Sequence, residues 1–237
     1  MTASRLDPDR VRARLREARL MLVFTPELCG ARDPLEVALE LAPEIDLLQV
    51  RVKPLGVEPR LPGTPGPPAP ARETREWAER LLDAFAPLER APLVLVDDRV
   101  DVAELLAPVG CAGVHLGRHD FPVAEARAQL GPGALIGLST HDVAQVALAA
   151  EEEVDYLGFG PIHATATKGY ARGLGPDLAW VAGAGSSLPI FPIGGIDLTN
   201  AQDLARVGRA AVGSALLAKP EPAVAARRLR ALLESGE

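Results

Sequence analysis

The sequence predicts a (β/α)8 TIM barrel: one α/β domain with a helix ahead of its first strand. Three observations predict it. Eight short apolar runs alternate with helical stretches through most of the 237 residues. The runs are rich in Val, Leu and Ile and mostly unalternated, as expected of parallel strands covered on both faces. Polar residues, including all four histidines, collect where these runs end, and in such a barrel those ends form the catalytic face. A doubly wound open sheet is the alternative, weakened because no Gly-x-Gly-x-x-Gly follows the first run.

The elements follow in order. Asp7 is placed to cap a helix over 8–19, with Pro8 at its first position. Leu20 to Phe24 reads as the first strand, followed by a helix over 33–42. A second strand spans 46–51. Residues 54–71, with Pro-Gly-Thr-Pro-Gly-Pro-Pro-Ala-Pro, are too proline-rich for helix or strand and read as a loop. Because it follows a strand, that loop belongs on the catalytic face. Helix 72–86, strand 92–96, helix 100–107, strand 112–115, helix 122–130 and strand 134–138 continue the alternation. Helix 142–152, strand 154–159, a glycine-punctuated loop over 169–175 and helix 176–184 come next. Strand 189–193, helix 199–207, strand 209–213 and helix 221–234 complete it. Thr199-Asn200-Ala201-Gln202 reads as a capping box for the helix over 199–207. Nothing breaks the alternation, so residues 1–237 form one domain, with 1–19 as an N-terminal helical extension.

Composition narrows the function classes. The chain is 48% hydrophobic and 24% charged, with a net charge of −7. That balance, without a long basic run, argues against nucleic acid or an anionic membrane as the partner. It leaves room for small anionic substrates in a local cationic pocket. No apolar run approaches the ~20 residues of a membrane span. The two cysteines, Cys29 and Cys111, form no Cys-x-x-Cys pair, which fits a reducing cytoplasm. The arginine-rich start also holds Asp7, Asp9 and Glu17, which speaks against a targeting peptide.

The strand ends supply phosphate and metal chemistry. Gln49, Arg51 and Lys53 alternate onto one side of the second strand. Of the 25 basic residues only Lys53, Lys168 and Lys219 are lysines, and two of them lie at strand ends, where a compact point charge suits phosphate. Asp98 and Asp120 are placed to share one Mg²⁺. Gly194-Gly195 and Gly213-Ser214 follow the last two strands, where backbone N–H groups commonly cradle a phosphate. Each feature has a plainer reading. Asp98 can cap the helix at Arg99, Asp120 can cap the helix at Pro122, and His115 can be a packed, hydrogen-bonded side chain. The coincidence at successive strand ends favours a site.

From about Leu20 to Leu217 the chain resembles the thiamine phosphate synthases. The resemblance rests on Gln49-x-Arg51-x-Lys53, Val96-Asp97-Asp98-Arg99, Gly113-Val114-His115-Leu116-Gly117-x-x-Asp120, Gly137-Leu138-Ser139-x-His141, Thr165-x-Thr167-Lys168 and Ile193-Gly194-Gly195-Ile196. It implies the joining of hydroxymethylpyrimidine diphosphate to a thiazole phosphate, with loss of diphosphate. Gln49, Arg51, Lys53, Ser139 and Lys168 would then hold the pyrimidine diphosphate, with Arg51, Lys53, Ser139 and Lys168 acting in catalysis. Asp98 and Asp120 would bind Mg²⁺. Thr165, Thr167, Gly194, Gly195, Gly213 and Ser214 would hold the thiazole phosphate. Asp97 and Arg118 fall among the diphosphate contacts, and there this chain departs from the family's usual asparagine and glutamine. His119 stands where an acid is common, and the loop over 54–71 is longer than usual. A related thiazole tautomerase, with His141 as acid and base, and a phosphate-ester-binding barrel without catalysis are the alternatives.

Overall fold

The computed structural model describes residues 6–53, 69–164 and 172–236. Eight parallel strands form one sheet: β1 (Leu20–Phe24), β2 (Leu47–Val50), β3 (Leu93–Asp97), β4 (Gly113–Leu116), β5 (Leu135–Thr140), β6 (Tyr156–Phe159), β7 (Ile190–Pro192) and β8 (Ala210–Val212). The order is β7-β6-β5-β4-β3-β2-β1-β8, and a single parallel bridge from Ile193 to Ala211 joins the two ends. The helices are α1 (Pro8–Glu17), α2 (Pro34–Leu41), α3 (Ala71–Phe85), α4 (Val100–Leu106), α5 (Val123–Leu130), α6 (Val143–Ala149), α7 (Pro176–Ala184), α8 (Ser214–Leu217) and α9 (Pro222–Glu234). The expected barrel is therefore what forms.

Two apolar cores explain the strands' composition. Leu20, Leu22 and Phe24 of β1, with Leu48, Val50, Val94 and Val96, pack outward under the helices. Met21 and Val23, with Leu47, Leu93, Leu95, Leu135, Tyr156, Phe191 and Ala211, pack inward and fill the barrel. Alternation thus splits each strand between two buried layers, and both must be apolar. Val11 and Leu15 of α1, together with Ala18, belong to the inward core. Their i, i+4 spacing turns one face of α1 into a plug for the barrel's N-terminal end. Two part-buried carboxylates secure that end. Asp46 accepts from the Arg19 and Leu20 N–H groups and from Arg230 Nη2 at 2.7 Å. Asp155 accepts from the Ile136 N–H, from Arg12 Nε at 2.9 Å and from Arg127 Nη2 at 2.7 Å.

Some boundaries differ from expectation. Asp46, Pro92, Pro189 and Arg209 stand outside the strands they were expected to join. The expected helix over 199–207 is only a 3-10 turn, Ala201–Leu204, and the capping box does not form. Asp197 takes both donors of Thr199, its N–H at 2.8 Å and its hydroxyl at 2.6 Å. A carboxylate is the stronger acceptor, so Thr199 is drawn backward instead of capping forward. Asn200 likewise turns back, accepting from Asp197 N–H and donating to the Gly195 carbonyl at 2.8 Å.

Candidate active site

The C-terminal ends of β2 and β3 bring a charged group together. Gln49, Arg51 and Asp97 are all buried. Gln49 Nε2 donates to one oxygen of Asp97. The other oxygen lies 3.3 Å from Lys53 Nζ and 3.9 Å from Arg51 Nε. Lys53 also forms an ion pair with Asp98. Gln49, Arg51 and Lys53 meet because they follow Leu47 on the inward side of one chain, as the alternation predicts. The acid at position 97 is offset by these partners and not by Arg99, whose guanidinium is paired with Asp101 and the Ala69 carbonyl. Arg51 keeps one buried donor, Nη1, without a partner among the described residues.

The electrostatics are those of crowded carboxylates. Burial pushes the Asp98 carboxyl up to about 7, Asp97 adds to that, Lys53 opposes it, and Asp120 adds a smaller push. Burial disfavours the Lys53 ammonium, yet Asp97 and Asp98 outweigh it and hold its pKa above the ordinary value. Neither expected helix cap exists. Asp98 sits at φ 59°, in the left-handed region, and Arg99 precedes α4 without a side-chain cap. Asp120 closes its own turn by accepting from the Gly117 N–H at 2.9 Å, and α5 is preceded by Pro122.

Beside this group, β4, β5 and β6 contribute a second. His115 Nδ1 is 3.0 Å from the Tyr156 hydroxyl, and His115 Nε2 is 3.0 Å from Ser139 Oγ. The expectation that His115 is a packed, hydrogen-bonded residue holds, but its packing reaches a site residue. Tyr156 was not singled out from sequence. Its two-residue step from Gly158 was the available signal, since both then face inward. His141 Nδ1 contacts the Gly160 carbonyl, next to the cis Gly160–Pro161 bond.

The glycines at the end of β7 are required by geometry. Gly194 and Gly195 have φ of 101° and 63°. A Cβ on Gly195 would lie 2.5 Å from the Ala164 carbonyl oxygen and 2.8 Å from His163 Cβ. Gly195→Ala is therefore expected to displace the loop after β6. It should lower the thermal midpoint and weaken phosphate-ester binding at least ~10-fold, by analogy with other strained backbone positions. Unchanged binding by calorimetry would show that the cradle reading of these glycines is wrong. Gly213 directly precedes α8, and Ser214 is exposed at its start.

Two sets of expected residues stand apart. Arg118 does not join the Asp97 group through any described contact: Nη2 reaches Glu152 at 3.3 Å, and Nη1 is buried without a described partner. Thr165, Thr167 and Lys168, and the loop over 54–71 up to residue 68, lie outside the described residues.

Comparison with known proteins identifies the family. A family model described as thiamine monophosphate synthase matches residues 20–216. A thiamine-phosphate synthase from Laribacter hongkongensis is 40% identical over 219 residues, covering 89% of this chain and 93% of its own. One from Synechococcus sp. strain CC9605 is 37% identical over 223 residues, covering 93% of this chain and 57% of its own. The match spans between 38% and 57% of the length of the Synechococcus relatives. Among solved structures, the thiamine phosphate pyrophosphorylase from Pyrococcus furiosus superposes with a TM-score of 0.72 at 27% identity, covering 95% of this chain and 98% of that one. With the matched model running from β1 to α8, this chain belongs to the thiamine monophosphate synthase family.

Proposed function

We propose that this chain condenses hydroxymethylpyrimidine diphosphate with a thiazole phosphate, releasing diphosphate and forming thiamine phosphate. The observation that carries this reading is the pair at the mouth of the barrel, buried Arg51 and part-buried Lys53. Arg51 Nη1 is buried there with no partner among the described residues, a costly arrangement unless an anion accepts from it.

The carboxylates fit a divalent cation. Burial and two neighbouring acids disfavour the charged form of Asp98, with only Lys53 opposing; a cation would relieve this crowding. Among the described residues no three His, Cys, Asp or Glu side chains converge on one point. Asp98 and Asp120 would then supply two oxygens to Mg²⁺ and leave the remainder to phosphate and water. When bound, Mg²⁺ supplies positive charge against the departing diphosphate.

The chain's own residues do the rest. Arg51 and Lys53 bind the diphosphate and neutralise charge as the C–O bond to the pyrimidine methylene breaks. Gln49 holds Asp97 in place, so that Asp97 orients the two cations. The glycine loops after β7 and β8 position the thiazole phosphate so that its ring nitrogen meets the electron-poor methylene. Ser139 is placed to donate to the substrate. The family resemblance adds Thr165 and Thr167 to the thiazole phosphate and Lys168 to the diphosphate. Catalysis needs no general base, which matches a site of cations and glycine loops.

The described residues contain no helix long and apolar enough to cross a membrane, and both cysteines are buried and free. We place the activity in the cytoplasm, on small phosphorylated substrates. The test is diphosphate release by the purified chain. Release is expected to require both substrates and to stop with EDTA. Rearrangement of a thiazole carboxylate phosphate without release would assign the tautomerase, with His141 as its acid and base. Tight binding with neither reaction would assign a binding barrel.

A further inference from the structure

We propose that Tyr156 and His115 are positioning residues that fix the Ser139 hydroxyl as a hydrogen-bond donor to a phosphate oxygen of the substrate. The identity of the substrate rests on the reading above; the direction of the hydrogen bonds does not.

The direction follows from burial. Tyr156 is fully buried. Burial, with smaller contributions from Asp97 and Asp155, pushes its phenol far above its ordinary pKa, so the O–H keeps its proton. Its hydroxyl has one hydrogen-bond partner among the described residues, His115 Nδ1 at 3.0 Å. A buried O–H with one neighbour donates to it, because the alternative strands the hydrogen in an apolar core. Phe191 and the other inward apolar side chains surround the ring and offer no substitute. Nδ1 is then an acceptor, the imidazole is neutral, and its proton is on Nε2.

That tautomer sets the next bond. Nε2–H donates to Ser139 Oγ at 3.0 Å. With a lone pair so engaged, Ser139 directs its own O–H elsewhere. Ser139 is only partly buried, at the C-terminal end of β5, so that hydrogen points to the mouth of the barrel. The opposite tautomer would make Ser139 donate to the ring and offer lone pairs alone, which repel a phosphate oxygen.

The arrangement is built into the backbone. Asp97, His115, Gly137, Tyr156 and Gly158 lie on adjacent strands in the paired register, with His115 opposite Gly137 and Ser139 opposite Gly158. A Cβ on Gly137 would lie 2.1 Å from Tyr156 Cζ and 2.5 Å from His115 Nδ1. Gly158 clears His115 Cε1, which a Cβ there would approach to 3.2 Å. Two glycines thus leave space for two rings inside the barrel.

Two measurements test the proposal. The first is a kinetic cycle with Tyr156→Phe, Ser139→Ala and the double variant, each checked for an unchanged fold by circular dichroism. Tyr156→Phe is expected to lower kcat ~10-fold with little change in KM, and Ser139→Ala ~100-fold. The double variant should match Ser139→Ala, because the tyrosine acts only through the serine. Multiplied losses of ~1,000-fold in the double variant, or a Tyr156→Phe enzyme with wild-type kcat, would overturn it. The second measurement is a two-bond ¹H–¹⁵N correlation spectrum of histidine-labelled, substrate-free protein, with His115 assigned by loss of its signals in His115→Asn. Protonation at Nε2 is expected, and protonation at Nδ1 would overturn the proposal. This spectrum stands even if the wild type releases no diphosphate, so failure of the tautomer and failure of the synthase reading are separable.

Discussion

Asp98→Asn is expected to lower diphosphate release by at least ~100-fold, the scale of removing one charged contact from a transition state. The fold should survive. Asparagine tolerates the left-handed backbone at φ 59°, whereas alanine would add strain of ~1–2 kcal/mol and confuse the result. Lys53 keeps its pairing with Asp97 at 3.3 Å, so no cation is left alone. Because Asp98 is crowded by Asp97 and Asp120, removing its charge should leave the thermal midpoint unchanged or raise it. Asp120→Asn should likewise raise the Mg²⁺ needed for half-maximal activity. Together, lost activity and retained stability distinguish a functional carboxylate from a structural one. Near-normal turnover in both variants would remove them from the reaction.

Asp155→Ala is expected to do the reverse: destabilise the barrel by about 3 kcal/mol, the lower end of the cost of removing one partner from a buried ion pair, because these side chains are only largely buried. Asp155 has a largely buried side chain, 9% exposed, and joins Arg12, Arg127 and the Ile136 N–H. Without it, Arg127 keeps its carbonyl contacts but loses its counter-charge. For a domain of this size that is a fall of roughly 10 °C in thermal midpoint. Arg12 is the tie between α1 and the end of the barrel beneath β6, so α1 should also become the first point of proteolytic cutting. Activity of the folded fraction should persist, since Asp155 lies at the opposite end from the charged group. A midpoint within about 2 °C of wild type, a stability change under ~1 kcal/mol, would mean the pairs cost as much to desolvate as they return.

The same two ends show how much could be read in advance. Gln49, Arg51 and Lys53 were legible as one group because strand alternation is local: every second side chain shares a face. The barrel itself was legible because eight buried strands require eight apolar runs. Asp98 and Asp120 were ambiguous, since an acid just before a helix satisfies a cap and a metal site equally well in one dimension. Geometry removes the cap reading, by giving both acids other partners. The capping box at Thr199 misled because Asp197, two residues earlier, is a better acceptor than the motif allows for. Tyr156 carries no local signal because its hydrogen-bond partner, His115, is 41 residues away.

Local chemistry, then, fixes what this chain can form: eight strands, the helices around them, and polar residues at one set of strand ends. Those follow from periodicity and from backbone preferences acting over a few residues. Tertiary structure alone decides which polar groups meet. It surrounds Asp97 with Gln49, Arg51 and Lys53 and turns Arg118 toward Glu152. It threads Tyr156, His115 and Ser139 into one line, and it sets α1 as a plug. The physical reason is that hydrogen bonds and ion pairs act over about 3 Å, and only barrel closure brings residues distant in sequence within that reach.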